Sequence, residues 1–150
     1  MEWVGALFLG LGLGVLYSKF TAKPAKTYEL TASGDRKMVF VVRNDLRMGK
    51  GKIAAQCAHA CQGLLRTIQG VADETLVKWE RSGCKKIVVK CADELEMLQL
   101  AATADSRRVP QYIVVDAGRT QVDPGSKTVL GVGPCTDSEL DGITNHLKLL

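Results

Sequence analysis

The sequence predicts an α/β fold, a mixed four-stranded β-sheet sandwiched between α-helices and preceded by an N-terminal apolar helix. Four compact β-branched runs, at 38–42, 87–89, 112–115 and 128–132, have the length and composition of short buried strands. Helical patterns at 50–69, 73–82, 93–104 and 137–147 separate or follow them, giving the order β-α-α-β-α-β-β-α. Aromatic residues make up only 5% of a chain that is 46% hydrophobic, so the core must be aliphatic, which suits stacked helices and strands.

In chain order, 1–18 reads as an anchor, 19–36 as a linker and 37–150 as one domain. Residues 3–17, WVGALFLGLGLGVLY, are uninterruptedly apolar. As a helix they cover roughly 22 Å, short of a hydrocarbon core of about 30 Å, so Met1 and the stem of Lys19 must help them span it. A cleaved secretory signal starts with basic residues, whereas here Glu2 is the only early charge and Lys19, Lys23 and Lys26 follow the run. That asymmetry predicts an uncleaved membrane anchor with the domain facing the cytosol. The mitochondrial outer membrane suits so short an anchor, with the endoplasmic reticulum as the alternative. Gly10, Gly12 and Gly14 are not a dinucleotide loop, because no strand precedes them, although Gly10 and Gly14 have the spacing of a helix-packing face. The linker is polar and contains Pro24 and Gly34.

Within the domain, Asp93 with Glu96 and Thr136 with Glu139 have the spacing of capping boxes, and Gly70 and Gly83 suit helix ends. The segment 116–127 between the last two strands is turn-rich and too short for a helical crossover, which predicts an antiparallel pair. On the first helix Ile53, Cys57, Ala60, Leu64 and Ile68 form one stripe, expected to face the core. Lys52, Gln56 and His59 form a second stripe about 100° around the axis, placing an amine, an amide and an imidazole at the rim of a cleft over the sheet. A solvated lysine and a structural histidine are the bland alternative. The G-K-G-K at 49–52 lacks the spacing and the hydroxyl of a phosphate-binding P-loop. A second constellation, Asp116-Ala117-Gly118-Arg119-Thr120-Gln121, follows the third strand. It reads either as loop-borne polar chemistry or as ordinary turn residues.

The formal charge is +4, yet Arg36, Lys37, Arg43, Arg47, Lys50 and Lys52 face only Asp45 between positions 36 and 52. Such a basic stretch is either a polyanion-binding surface or a solvated charged face. Cys57, Cys61, Cys84, Cys91 and Cys135 are odd in number and lack the spacing of a disulfide scaffold, which fits a reducing compartment. Cys57 and Cys61 have no second ligand pair, so no metal site is expected.

The motif R-N-D-L-R-M-G-K-G-K-I-A-A-Q-C-A-H-A at 43–60 and the motif D-A-G-R-T-Q at 116–121 resemble the signature segments of type II peptidyl-tRNA hydrolases of archaea and eukaryotes. The likeness continues through P-G-S-K-T-V-L-G-V-G-P at 124–134 and H-L-K-L at 146–149. The resemblance implies a mixed sheet between helices, commonly dimeric, that hydrolyses the ester between peptide and tRNA and so recycles tRNA, with no metal or organic cofactor. It carries functional roles to Lys52, Gln56, His59, Asp116 and Thr120. Ester hydrolysis needs an oriented water, oxyanion stabilisation and a hold on phosphates. Asp116 or His59 is therefore expected as the water-orienting base, Lys52 as electrostatic stabiliser, and Gln56 and Thr120 as positioners. Arg43, Arg47, Lys50 and Arg119 are expected at the tRNA backbone, with Lys85 and Lys86 as further candidates. The rival class is a membrane-tethered interaction module without activity, in mitochondrial or survival signalling, against which intact Lys52, Asp116 and Thr120 argue.

Overall fold

The structure is a computed structural model that describes residues 27, 28, 30 and 34–150. The expected anchor at 1–18 and most of the linker lie outside the described residues. Among the described residues no helix is long and apolar enough to cross a membrane.

The domain runs β1 (Lys37–Arg43), α1 (Lys50–Ile68), α2 (Asp73–Arg81), β2 (Lys86–Cys91), α3 (Glu94–Ser106), β3 (Gln111–Val115), β4 (Lys127–Cys135) and α4 (Asp137–Leu140). The strands form one sheet in the order β2-β1-β4-β3. β1 pairs in parallel with β2 and antiparallel with β4, and β3 pairs antiparallel with β4, so the sheet is mixed as expected. β1 and β4, the two inner strands, are buried on both faces and accordingly carry nearly continuous apolar runs.

Alternation along β1 divides the core. Met38, Phe40 and Val42 pack with Ala60, Leu64 and Trp79 of α1 and α2, whereas Val39 and Val41 pack with Met97, Leu100, Ala101 and Ala104 of α3 and with Leu140 of α4. On the first of these faces Gly131 lets α1 approach closely, since a Cβ there would meet Leu64 Cδ1 at 2.8 Å. The three layers follow from covering both apolar faces of one sheet.

Three details depart from the sequence reading. The last helix stops at Leu140 instead of running to 147: Gly142 adopts φ +66°, and the chain continues as turns closed by Ile143 N–H to Leu140 O and Leu147 N–H to Thr144 O. Thr136 and Glu139 make the full capping box, but Glu96 turns to the backbone N–H of Ala92 while Asp93 caps alone. The chain's last residues also return to the outer edge of β2, where Leu149 bridges to Val89.

The largest correction concerns charge. Arg36 is 1% exposed and pairs with Glu139, Lys37 pairs with Asp137, and Lys52 pairs with Asp116. Arg43 is buried with its guanidinium held by Asp45, by Glu94 at 2.7 Å and by the Lys127 carbonyl at 3.1 Å. The basic run is thus mostly an ion-pairing device, and Arg43 is a strut between β1, α3 and β4. Only Arg47 and Lys50 of that run are exposed cations without an ion pair among the described residues. Lys85 and Lys86 stand at the start of β2, opposite the Arg43 end of β1, where Lys85 faces Asp35 at 3.8 Å and Lys86 lies over the Trp79 ring.

Removing the strut leaves Asp45 without its main partner, while Glu94 keeps Lys127 at 2.7 Å. Because those carboxylates are 36% and 39% exposed, the loss is less than for a fully buried pair. Arg43→Ala is expected to lower the unfolding free energy by roughly 2–3 kcal/mol, read from urea denaturation.

Candidate active site

The site forms where α1 begins and β3 ends. β1 and β3 point the same way on either side of β4, so the loop after β3 and the start of α1 after β1 emerge at one end of the sheet. Asp116 is the first residue beyond β3. Its backbone N–H donates to Ser126 O at 2.9 Å and its carbonyl accepts from Gly125 N–H at 2.8 Å, which closes the base of the loop. Gln121, further round the loop, accepts from the Gly49 N–H at 2.8 Å and ties it to the start of α1.

Three donors converge on the Asp116 carboxylate. Lys52 Nζ and Gln56 Nε2, one turn apart on α1, both donate to Oδ2, and Gly118 N–H donates to Oδ1 at 2.8 Å. The Lys52 and Asp116 side chains are 11% and 10% exposed, so the pair is largely sheltered yet reachable. The Lys52 ammonium, first, and the Gly118 N–H, second, hold the Asp116 carboxyl below the usual Asp value, with Gln56 adding to them. The carboxylate is ionised at neutral pH.

Gln56 borders the cleft as the sequence places it, but at 2% exposure it also belongs to the core-facing stripe of α1. Ile53 and Cys57, expected on that stripe, are only half-buried: α1 is rotated about its axis toward Gln56, Ala60, Gly63 and Leu64. A buried amide needs partners at both ends. Its Oε1 accepts from the Thr128 hydroxyl at 2.9 Å while its Nε2 serves Asp116. Thr128 reaches α1 because of a bulge. Val114 pairs with Val129 and Val115 with Lys127, leaving Thr128 as the extra residue of β4. Strict alternation would have turned this side chain away from α1, which is why the sequence reading missed it. Its signal is a hydroxyl at the head of the apolar run 128–132.

A cleft of about 340 Å³ opens beside the cluster, lined by Asp116, Gln56 and His59 and extending along α1 and β3. His59 is exposed within it. Thr120 and Arg119 are exposed on the loop. The structure therefore brings Lys52, Gln56, Asp116 and His59 together, sets Thr120 and Arg119 on the same loop as Asp116, and leaves Arg43, Lys85 and Lys86 elsewhere. Cys57 and Cys61 lie in a separate apolar groove with their thiols pushed up by burial, and Cys91 is pushed up to about 12 by burial, then by Glu96 and Asp45, so none is an activated nucleophile.

An ionised carboxylate clamped by an ammonium and an amide, set at strand ends beside an open cleft, is an arrangement suited to acid–base chemistry on a small α/β fold. The family described as "Peptidyl-tRNA hydrolase PTH2" matches residues 36–150, and the chain belongs to that family. It is 44% identical over 150 residues to "Peptidyl-tRNA hydrolase 2, mitochondrial" of Homo sapiens, covering 94% of this chain and 84% of the relative. It is also 44% identical over 114 residues to "Peptidyl-tRNA hydrolase" of Methanocaldococcus jannaschii, covering 76% of this chain and 99% of the relative. A third relative, "Probable peptidyl-tRNA hydrolase 2" of Drosophila melanogaster, is 46% identical over 114 residues, covering 76% of this chain and 61% of the relative.

Two outcomes follow from the clamp. Thr128→Val, which keeps shape and removes the donor, is expected to lower turnover about tenfold by freeing Gln56, while Thr128→Ser keeps most of it; steady-state kinetics decides. Because the folded pKa of Asp116 is depressed, the ionised form and its stabilising ion pair persist below the ordinary Asp range and are lost as pH falls through the folded value. Lys52→Ala removes the leading cause, so the acid limb of the residual pH–rate profile should move to higher pH than in the wild type.

Proposed function

We propose that the Asp116–Lys52–Gln56 cluster is where this peptidyl-tRNA hydrolase cleaves the ester between peptide and tRNA. The reaction is that of the family: water adds to the ester carbonyl carbon, the bond to the ribose oxygen breaks, and peptide and tRNA are released. The observation that carries the assignment is the three-donor clamp on an ionised carboxylate bordering a cleft. A carboxylate offers about four acceptor positions. Three are filled by Lys52, Gln56 and Gly118, which leaves one on Oδ1 for a water molecule.

In this reading Asp116 orients that water, and either Asp116 or His59 accepts its proton and returns it to the departing ribose oxygen. The Lys52 ammonium has hydrogens beyond the one given to Asp116, and these stabilise the negative charge growing on the carbonyl oxygen. Gln56 holds the carboxylate in its rotamer and Thr120 positions the substrate from the loop. With the Cys57, Cys61 and Cys91 thiols pushed up, direct attack by water accounts for the chemistry without an acyl-enzyme. Arg47, Lys50 and Arg119 are the tRNA-backbone contacts; Arg43 is assigned to the fold instead.

Residues 1–18 are proposed as a membrane anchor holding the domain toward the cytosol, where tRNA is used. The name of the human relative favours a mitochondrial membrane. The homodimer implied by the family likeness is proposed to use the apolar groove lined by Phe40, Cys57, Cys61, Leu65 and Val88.

Asp116→Asn and Lys52→Ala are each expected to reduce release of peptide from N-blocked aminoacyl-tRNA by at least about tenfold with the fold intact. Near-normal turnover in both would overturn the site. Protease added to intact organelles should digest the domain; protection until the membrane is opened would reverse the orientation.

A further inference from the structure

The cleft beside Asp116 does not end there. It continues between α1 and β3 past His59, Gln62 and Arg66, which follow one another at successive turns of α1, with Tyr112 of β3 on the opposite wall. From Gln56 to Arg66 this is about 15 Å.

Gly63 is the residue that makes this groove. A Cβ at that position would lie 2.2 Å from Tyr112 Cδ1 and 2.3 Å from Cε1, so the ring rests where any other side chain would stand. Glycine in the middle of a helix weakens it, and seating the ring is what the weakness serves. Tyr112 stays 40% exposed and makes no side-chain hydrogen bond among the described residues. Arg66 and His59 are likewise exposed, without an ion pair or side-chain hydrogen bond among the described residues. An aromatic ring, a guanidinium and an imidazole thus line one groove with their binding capacity unspent.

The substrate chemistry selects the occupant. The peptide differs from one substrate to the next, whereas the ester always joins the ribose of the 3′-terminal nucleotide, an adenosine in every tRNA. With the scissile carbonyl at Asp116, that nucleoside must lie within its own length of the clamp. Aromatic rings and guanidinium planes are the groups on which unpaired bases stack, and amides read their edges. A groove of about 340 Å³ is of small-ligand size. We propose that this groove seats the 3′-terminal adenosine of the tRNA, its base stacked on Tyr112 and flanked by Arg66 and His59, with Gln62 at its edge. The proposal rests on the hydrolase reading and specifies its substrate subsite.

The test uses the full chain and N-acetyl-aminoacyl-tRNA. Tyr112→Ala should raise KM about tenfold or more while changing kcat little, and Tyr112→Phe should keep the wild-type KM, because the ring and not the hydroxyl does the stacking. Gly63→Ala, which displaces the ring, should reproduce the effect of Tyr112→Ala. Adenosine 5′-monophosphate should compete with substrate in the wild type and in Tyr112→Phe, but not in Tyr112→Ala, and ribose 5-phosphate should not compete in any of them. An unchanged KM in Tyr112→Ala, or equal competition by the two phosphates, overturns the subsite while the hydrolase reading stands. Competition by an N-acetyl-amino-acid amide that depends on Tyr112 overturns it too, by giving the groove to the peptide. A wild-type chain that releases no peptide at all overturns the hydrolase reading and the subsite with it.

Discussion

The Asp116 carboxylate is the point on which the arrangement at this end of the sheet turns. It is bound by an amine and an amide of α1 and by a backbone N–H of its own loop, so it fixes both the register of the helix over the sheet and the path of the loop. Sheltering an ionised group from bulk water is favourable only when most of its acceptor positions are filled. Lys52 and Gln56 fill them at a spacing that one helical turn provides. The buried Gln56 in turn requires a donor from the sheet, and the Thr128 bulge supplies one. Chemistry and packing are therefore one network: loosening any member shifts the others.

The same economy governs the remaining cations. Arg36, Lys37, Arg43 and Lys52 are neighbours in sequence on or beside β1 and α1, and each is matched to a carboxylate far along the chain. Their pairing pins β1 to α3 and α4, and α1 to the loop after β3. What faces outward at the site is a smaller set, Arg47, Lys50 and Arg119, with Arg66 and His59 along the groove. In the proposed reading Arg47, Lys50 and Arg119 meet a substrate with many phosphates, and register along the polyanion depends on where they stand.

Much of this was legible in the residues. The four β-branched runs located the strands because each is short, buried and bounded by turn chemistry, and the short 116–127 connection made one pair antiparallel. Lys52, Gln56 and His59 were visible as a stripe because helical spacing is independent of tertiary context. Whether that stripe faced solvent was not, since it depends on how α1 rolls against the sheet. Gln56 is drawn inward by Thr128, a partner 72 residues away that no local pattern reveals. The pairing of Arg43 was hidden for a similar reason: net charge along the chain cannot register that Glu94 lies across from it in space. The helix expected to 147 ended early because Gly142 takes a left-handed conformation, a possibility that amphipathic spacing ignores.

The strand order has a bearing on the protein's own synthesis. β1, made first, has β4 as an inner neighbour, and the clamp joins α1 to a loop that is complete only at Ser126. Neither the sheet nor the site can close until residues as late as 127–135 are free of the ribosome, since contacts so distant in sequence form only when both partners are available. Throughout that interval the chain is itself a peptide esterified to a tRNA. Until residues 127–135 are available, the nascent chain carries the peptidyl-tRNA ester before it carries the assembled clamp.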